Sequence, residues 1–271
     1  MFKTFAIIIK EHRDLGFRQI LKLARAELNR QYRGAAFGWA WAIIKPMLTL
    51  FVFWFGITIG LRYSKPVNGY PRFLWNMTGF LPWFYMRALI PGGAACIRQY
   101  KHLVTKMKFP VSVIPTFNSI AELYIHFVLM ALTFIVFAIF GYFKPDIYLL
   151  QLPLYLLFMF MSFTLWSLFA GMIGAISKDF HAFIKSISTA IFWFSGIIFD
   201  INGIHNDLLK HILKINPVSF FAMGYRNVFI YKRWFFEDRY ALAVYLCTLI
   251  VTFMGAMWAY KKLRKDIPDV L

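Results

Sequence analysis

Residues 15–46 read LGFRQILKLARAELNRQYRGAAFGWAWAIIKP, and the class of the chain follows from this junction. Arg18, Lys22, Arg25, Asn29 and Arg33 recur every three or four residues, so one face of a helix carries the charge. Phe17, Ile20, Leu21, Ala24 and Leu28 fall on another face. A helix so patterned lies flat on an anionic membrane surface with its apolar face sunk into the headgroup boundary. Gly34 and Gly38 then break it, and Trp39 and Trp41 supply indoles suited to the membrane–water interface. An apolar run at 42–61 follows. The expected arrangement is an amphipathic platform over 1–39 at the mouth of a first membrane span.

Composition extends that reading to the whole chain. A sequence of 271 residues that is 60% hydrophobic, 20% aromatic and 15% charged is not an ordinary soluble domain. Crossing ~30 Å of hydrocarbon takes about 20 apolar residues. Windows of that kind fall at 40–61, 73–95, 112–140, 149–174, 184–200 and 240–260. The expected fold is therefore all-α and integral to the membrane, with six transmembrane helices over 40–271. The third and fourth windows are long enough to tilt. Residues 1–10 are too short, and too soon followed by basic residues, for a cleavable signal peptide. Cys96 and Cys247 lie at or in apolar segments and imply neither a disulfide framework nor a metal site.

The net charge of +18 is mostly a topology signal. Eighteen Lys and Arg fall before the first window, at 98–108, after the fourth window and in the tail 261–271, against ten on the opposite side. That asymmetry sets both termini in the cytoplasm of a plasma-membrane protein. Anionic lipid is the expected partner. Nucleic acid is not, because the basic residues hug the spans and form no separate patch.

Two connections on the cytoplasmic side carry possible contacts. Leu103, Val104 and Met107 alternate with Lys101, Lys106 and Lys108 before Phe109 and Pro110, which reads either as a solvated basic linker or as a short surface helix against another protein. In the second connection, Asp179 is expected to cap a helix starting near Ala182. The outer segment 201–239 has an amphipathic stretch at 208–215, a break at Asn216-Pro217, and an apolar stretch at 218–230 that is too short to span. Interfacial or re-entrant helices are expected there, with Gly196, Gly203 and Gly224 permitting tight reversals. Arg226, inside that stretch, either snorkels or meets an anionic group leaving the pore.

Few ionisable residues interrupt the spans. Glu122 and His126 are four apart and share a face of the third span, where they either satisfy each other or wall a polar cavity that relays protons. Arg87, in the second span, either faces a hydrated cavity or snorkels. No G-x-x-x-x-G-K-[ST] run, paired carboxylates or acidic metal cluster occurs, so neither nucleotide hydrolysis nor other enzymatic chemistry is expected of this chain.

The motifs also carry a resemblance. Tyr32-Arg33-Gly34, Phe37-Gly38-Trp39, Trp41 and Pro46 are similar to the first-span entrance of the polysaccharide-export permeases of type-2 ABC exporters. So are residues 79–84 (GFLPWF), the set Leu103, Val104, Lys106, Met107, Phe109, Pro110, Ile114 and Pro115, then Asp179, and Asn216-Pro217 with Tyr225-Arg226. The pattern runs through nearly the whole chain in order. Within the family, 60–69 and 231–235 look most like the teichoic acid translocation permeases of Gram-positive bacteria, with O-antigen or capsular polysaccharide permeases as the alternative. Lys178 stands where many members carry arginine and keeps the charge without the planar fork.

The resemblance implies a homodimer of this subunit and a separate homodimer of ABC ATPase subunits that bind the ATP and magnesium. It also implies an undecaprenyl-diphosphate-linked polymer as cargo. Arg25, Arg30, Tyr32, Arg33, Trp39 and Trp41 then form the substrate entrance. Leu103, Val104, Lys106, Met107, Lys108, Phe109 and Asp179 couple to the ATPase. Asn216, Pro217, Tyr225 and Arg226 belong to the exit. A more distant alternative is an ion-coupled secondary transporter using Glu122 and His126.

Overall fold

The computed structural model describes residues 1–62, 65–107 and 109–271, so the coupling role expected of Lys108 falls outside the described residues. Gly16, at φ 81, separates α1 (Phe2–Leu15) from α2 (Phe17–Tyr32). A 3₁₀ turn at Gly38–Ala40 leads into α3 (Trp41–Phe55), which loosens to a π turn at Gly56–Gly60. Next come α4 (Arg72–Gln99), α5 (Lys101–Met107) and α6 (Val113–Ile139). A 3₁₀ turn at Ile147–Gln151 opens α7 (Leu152–Ile176), and α8 (Lys178–Trp193) follows. The far segment holds α9 (Asp207–Ile215) and α10 (Pro217–Arg226), the latter running into a π turn at Asn227–Tyr231. The chain ends with α11 (Arg239–Leu263) and α12 (Ile267–Val270). The described residues contain no strand, only an isolated bridge between Val67 and Tyr70.

Four helical stretches are long and apolar enough to cross a membrane: Gly38–Gly60, Val113–Ile139, Ile147–Ile176 and Arg239–Leu263. The other two windows behave differently. Helix α4 has 28 residues, about 42 Å at 1.5 Å per residue. Polar residues such as Arg72, Asn76, Arg87 and Arg98 dilute its hydropathy, yet it packs on α3, α6, α7, α8 and α10 at the centre of the bundle. Helix α8 has 16 residues and ends at Trp193, short of the expected 184–200. The chain turns back at Gly196, whose φ of 67 suits a residue without Cβ, and Ile197 and Ile198 belong to that turn. Ser177, not Asp179, caps α8: its hydroxyl accepts from Phe180 N at 3.2 Å. The helix begins at Lys178, earlier than expected, which leaves Asp179 in the first turn, where the helix dipole favours a carboxylate.

The α4–α7 crossing is set by small residues. A Cβ on Gly174 would overlap the Ala94 carbonyl, and one on Gly93 would overlap Ser167. Small side chains let backbones approach where apolar lipid supplies no drive for helix association. Two apolar clusters then divide the bundle by depth. One joins Ile8, Ile20, Ala24, Val104, Met172, Tyr260 and Ile267, so both termini and α5 share one end. The other gathers Trp75, Phe80, Tyr155, Tyr225 and Tyr245 toward the α9–α10 end.

Candidate substrate entrance and passage

Helix α2 seats Ile20, Ala24, Glu27 and Leu28 against the bundle, chiefly on α6, while Arg18, Lys22, Arg25, Asn29 and Arg33 face outward. The charged face therefore lies where its periodicity places it. Phe17, expected on the apolar face, is exposed because it begins the helix beside Gly16. Glu27 is the surprise. It is 2% exposed, and Arg30 grips it with Nε to Oε2 at 2.7 Å and Nη2 to Oε1 at 2.8 Å. The Tyr100 hydroxyl also donates to Glu27, and Arg30 reaches Gln99 Oε1 at 3.2 Å. The bond to Glu27 raises the Arg30 pKa, and burial pushes the Tyr100 phenol up, so one stays charged and the other stays a donor. Arg30 thus ties α2 to the end of α4 although its side chain is half-exposed, and Arg25 and Arg33 are exposed as well.

Past the platform, Trp39 Nε1 donates to Asn29 Oδ1 at 3.3 Å and its ring lies 6.0 Å from that of Tyr32. Burial pushes the Tyr32 phenol up to about 12. Trp41 and Lys45 follow on α3, with the Lys45 ammonium 5.7 Å from the Trp41 ring centroid. A cavity of about 380 Å³ opens here, with Tyr32, Trp41, Lys45, Arg87 and Glu122 in its wall.

The residues expected to couple to an ATPase separate into two sets. Val104 is buried in the end cluster and Leu103 and Phe109 are half-buried, so these three hold the segment down. Lys106 and Met107 project, Met107 at 68% exposure. The short surface helix is α5, which starts at Lys101 because α4 runs on to Gln99 and Tyr100 separates the two. A cavity of about 640 Å³ lies at this end, lined by Arg98, Lys101, Ser177, Lys178, Asp179 and the terminal Leu271.

Glu122 and His126 share a face of α6 but do not pair. Glu122 Oε1 accepts from Gln31 Nε2 of α2 at 2.8 Å, while His126 Nε2 meets the Tyr225 hydroxyl of α10 at 2.9 Å. One helical turn along α6 changes the neighbouring element, and each polar group bonds to what stands at its own depth.

At the far end, Arg226 neither snorkels nor faces a pore. It is 2% exposed. Its Nη1 donates to Gly196 O at 2.6 Å and its Nη2 to Ile197 O, while the guanidinium stacks 3.3 Å from the Trp75 ring centroid. Five fixed donors suit the carbonyls of one tight turn. Asn216 caps α10 through Val218 N at 3.1 Å and donates to Ile191 O at 2.9 Å, with Pro217 in the first helical turn. The segment expected to hold interfacial or re-entrant helices forms two short helices, an amphipathic α9 and an α10 whose residues 218–226 are buried in the bundle. Gly224, however, is no reversal: it lies inside α10, where a Cβ would collide with Tyr155.

Glu27, Tyr100, Gln31 and Lys45 were absent from the sequence-derived site. Glu27 had left a signal, as the lone carboxylate on the packed side of α2, three residues before Arg30. Tyr100 and Gln31 lie far in sequence from the carboxylates they meet, Glu27 and Glu122, so no local pattern marks them.

A bundle of apolar helices with a charged platform at one end, and a polar-mouthed cavity between α2, α3, α4 and α6, defines a multi-pass membrane transporter. The chain belongs to the ABC-2 type transporter family, whose pattern matches residues 18–230. It is 24% identical to the O-antigen export system permease protein RfbA of Myxococcus xanthus over 242 residues, which cover 89% of this chain and 88% of the relative. It is 22% identical over 256 residues to a protein of the same name from Klebsiella pneumoniae, covering 94% and 95%. A second Klebsiella pneumoniae protein of that name is 21% identical over 266 residues, covering 97% and 99%.

Proposed function

We propose that this chain is the membrane permease of an ATP-driven exporter that carries a lipid-linked polysaccharide across the plasma membrane. The observation that carries the reading is the convergence of the α2 platform, α5, the 177–179 connection and the C-terminus at one end of the bundle. One face thereby offers both a cationic surface for a lipid diphosphate and an exposed basic helix for a motor subunit. Guanidinium groups bind phosphate oxygens bidentately, which suits Arg25 and Arg33 as capture residues beside Tyr32.

The full assembly has two copies of this chain over two ATPase subunits, with both termini cytoplasmic. Six crossings arise if α4, and α8 with its turn, complete the four apolar spans. The ATPase binds ATP and magnesium and pushes on Lys106 and Met107. The relatives spanning nearly the whole chain bear the O-antigen name, which favours an O-antigen class of polymer over teichoic acid. The test is purification of the tagged chain from native membranes, followed by an ATPase assay on what accompanies it. We expect a stoichiometric nucleotide-hydrolysing partner whose turnover rises with a lipid-diphosphate glycan. A chain that purifies alone and transports without nucleotide overturns the reading.

A further inference from the structure

Two cavities meet at one arginine. The cavity of about 380 Å³ beside α2 includes Lys45, Thr49 and Arg87 in its wall. A second, of about 240 Å³ between α3, α4 and α8, shares Thr49 and Arg87 and adds Phe53, Trp83, Phe192 and Trp193. The order along both helices agrees: Lys45, Thr49 and Phe53 climb α3 as Arg87, Trp83 and Phe80 climb the facing α4 away from the platform. The two spaces are successive stages of one groove.

Arg87 lies near the midpoint of α4 and is exposed. Among the described residues, no hydrogen bond or ion pair engages it. Its neighbours in the bundle are occupied: Arg98 donates to Ala175 O at 2.8 Å, Arg72 to Ile198 O at 3.2 Å, and Arg226 to the 196–197 turn. A guanidinium halfway along a helix of a membrane bundle is costly unless something anionic or hydrated meets it. Glu122 lines the nearer cavity, but its carboxylate accepts from Gln31, and Lys45 shares that wall. In the farther cavity Arg87 is, among the described residues, the one charged side chain in the wall, and the rest is largely aromatic.

We infer that Arg87, with Lys45 one step nearer the platform, forms an anion-binding station inside the groove that takes the phosphate groups of a lipid. The guanidinium supplies paired donors to phosphate oxygens, and the Lys45 ammonium supplies a movable point charge at the entry side. This station is separate from the surface arginines of α2 and receives what they release. It rests on the export reading, and its failure is separable from failure of that reading.

The test is equilibrium binding of farnesyl diphosphate to the full chain in phosphatidylcholine nanodiscs, read by fluorescence of the lining Trp41, Trp83 and Trp193. Farnesol and inorganic pyrophosphate serve as controls. We expect saturable binding of farnesyl diphosphate, weakened about tenfold or more in Arg87→Gln, less in Arg87→Lys, and several-fold in Lys45→Gln. Farnesol should show no dependence on Arg87. Arg87→Lys keeps the charge and guards against a variant that merely misfolds, as does an unchanged melting profile. Displacement by added phosphatidylglycerol assigns the station to bulk anionic headgroups, and resistance to displacement assigns it to a diphosphate carrier; either keeps the site. Inorganic pyrophosphate that competes as well as the lipid shows that the phosphate alone is recognised, which also keeps it. Equal affinity in wild type and Arg87→Gln overturns the station, and a chain that still recruits and stimulates its ATPase then leaves the export reading standing.

Discussion

Arg30 Nε donates to Glu27 Oε2 at 2.7 Å, so the basic platform is held from beneath by a buried acid on its own helix. The Tyr100 hydroxyl shares that carboxylate, and Tyr100 immediately precedes α5. A push on α5 therefore reaches α2 through one side chain. We expect Glu27→Gln to destabilise the protein by about 1–3 kcal/mol, the cost of weakening charge-assisted bonds to a buried group, with a discount because the Arg30 side chain is 51% exposed. Tyr100→Phe should remove one such bond without altering the charge. Thermal melts in detergent read both, and under the export reading both variants should uncouple substrate stimulation from basal ATPase turnover. A Glu27→Gln protein that melts with wild type would contradict the clamp.

Arg226 predicts a different failure. Its fork serves two carbonyls of one turn and stacks on Trp75, so Arg226→Lys keeps the charge but not the geometry. Loss of roughly 2–4 kcal/mol is expected, since buried carbonyls are left without donors. Hydrogen exchange at 196–203 should quicken well before the rest of the bundle responds. Uniform exchange across the chain would speak against a local pin.

The α4–α7 crossing offers a matched pair of substitutions. Gly174→Ala drives a Cβ into the Ala94 carbonyl, a backbone atom that cannot move aside, whereas a Cβ on Gly92 meets nothing within 4 Å. We expect Gly174→Ala to reduce monodisperse yield severely. Gly92→Ala should be neutral or stabilising by up to ~1 kcal/mol through helix propensity. Size-exclusion profiles distinguish them, and equal yields would show that the helices can part at that crossing.

Val104 and Met107 separate holding from docking. Val104→Asp buries a charge in the terminal cluster and should loosen α5, lowering the melting temperature. Met107→Glu alters an exposed residue and should leave the melt unchanged while weakening retention of the ATPase on co-purification. A partner that stays bound through Met107→Glu together with Lys106→Glu would remove α5 from the coupling contact.

Glu122→Gln addresses the secondary-transport rival. Because Glu122 meets Gln31 and His126 meets Tyr225, ATP-dependent export should survive the substitution within a few-fold. A tenfold or greater loss, with assembly intact, would restore a proton site on α6.

The legible part of the site was what repeats along one helix. Arg25, Asn29 and Arg33 recur with the turn of α2, and the indoles at 39 and 41 mark the interface by type alone. Arg226 was visible as an anomaly but not as a pin, because its partners at 75, 196 and 197 are set by a fold that returns α10 beside α4. The Glu122–His126 spacing invited pairing for the same reason: periodicity reports which face two residues share, not which helices stand opposite.

Hydrophobic run length and the helical spacing of charge settled that this chain is an all-helical membrane protein with an amphipathic N-terminal helix, since membrane insertion acts on local, additive transfer energies. Tertiary structure alone decided where α8 stops, how α4 buries Arg72 and Asn76 inside the bundle, and which groups Arg30, Arg98 and Arg226 bond. Those outcomes depend on pairs of groups brought together by packing, and the energy of a buried charge is fixed by the neighbour it finds.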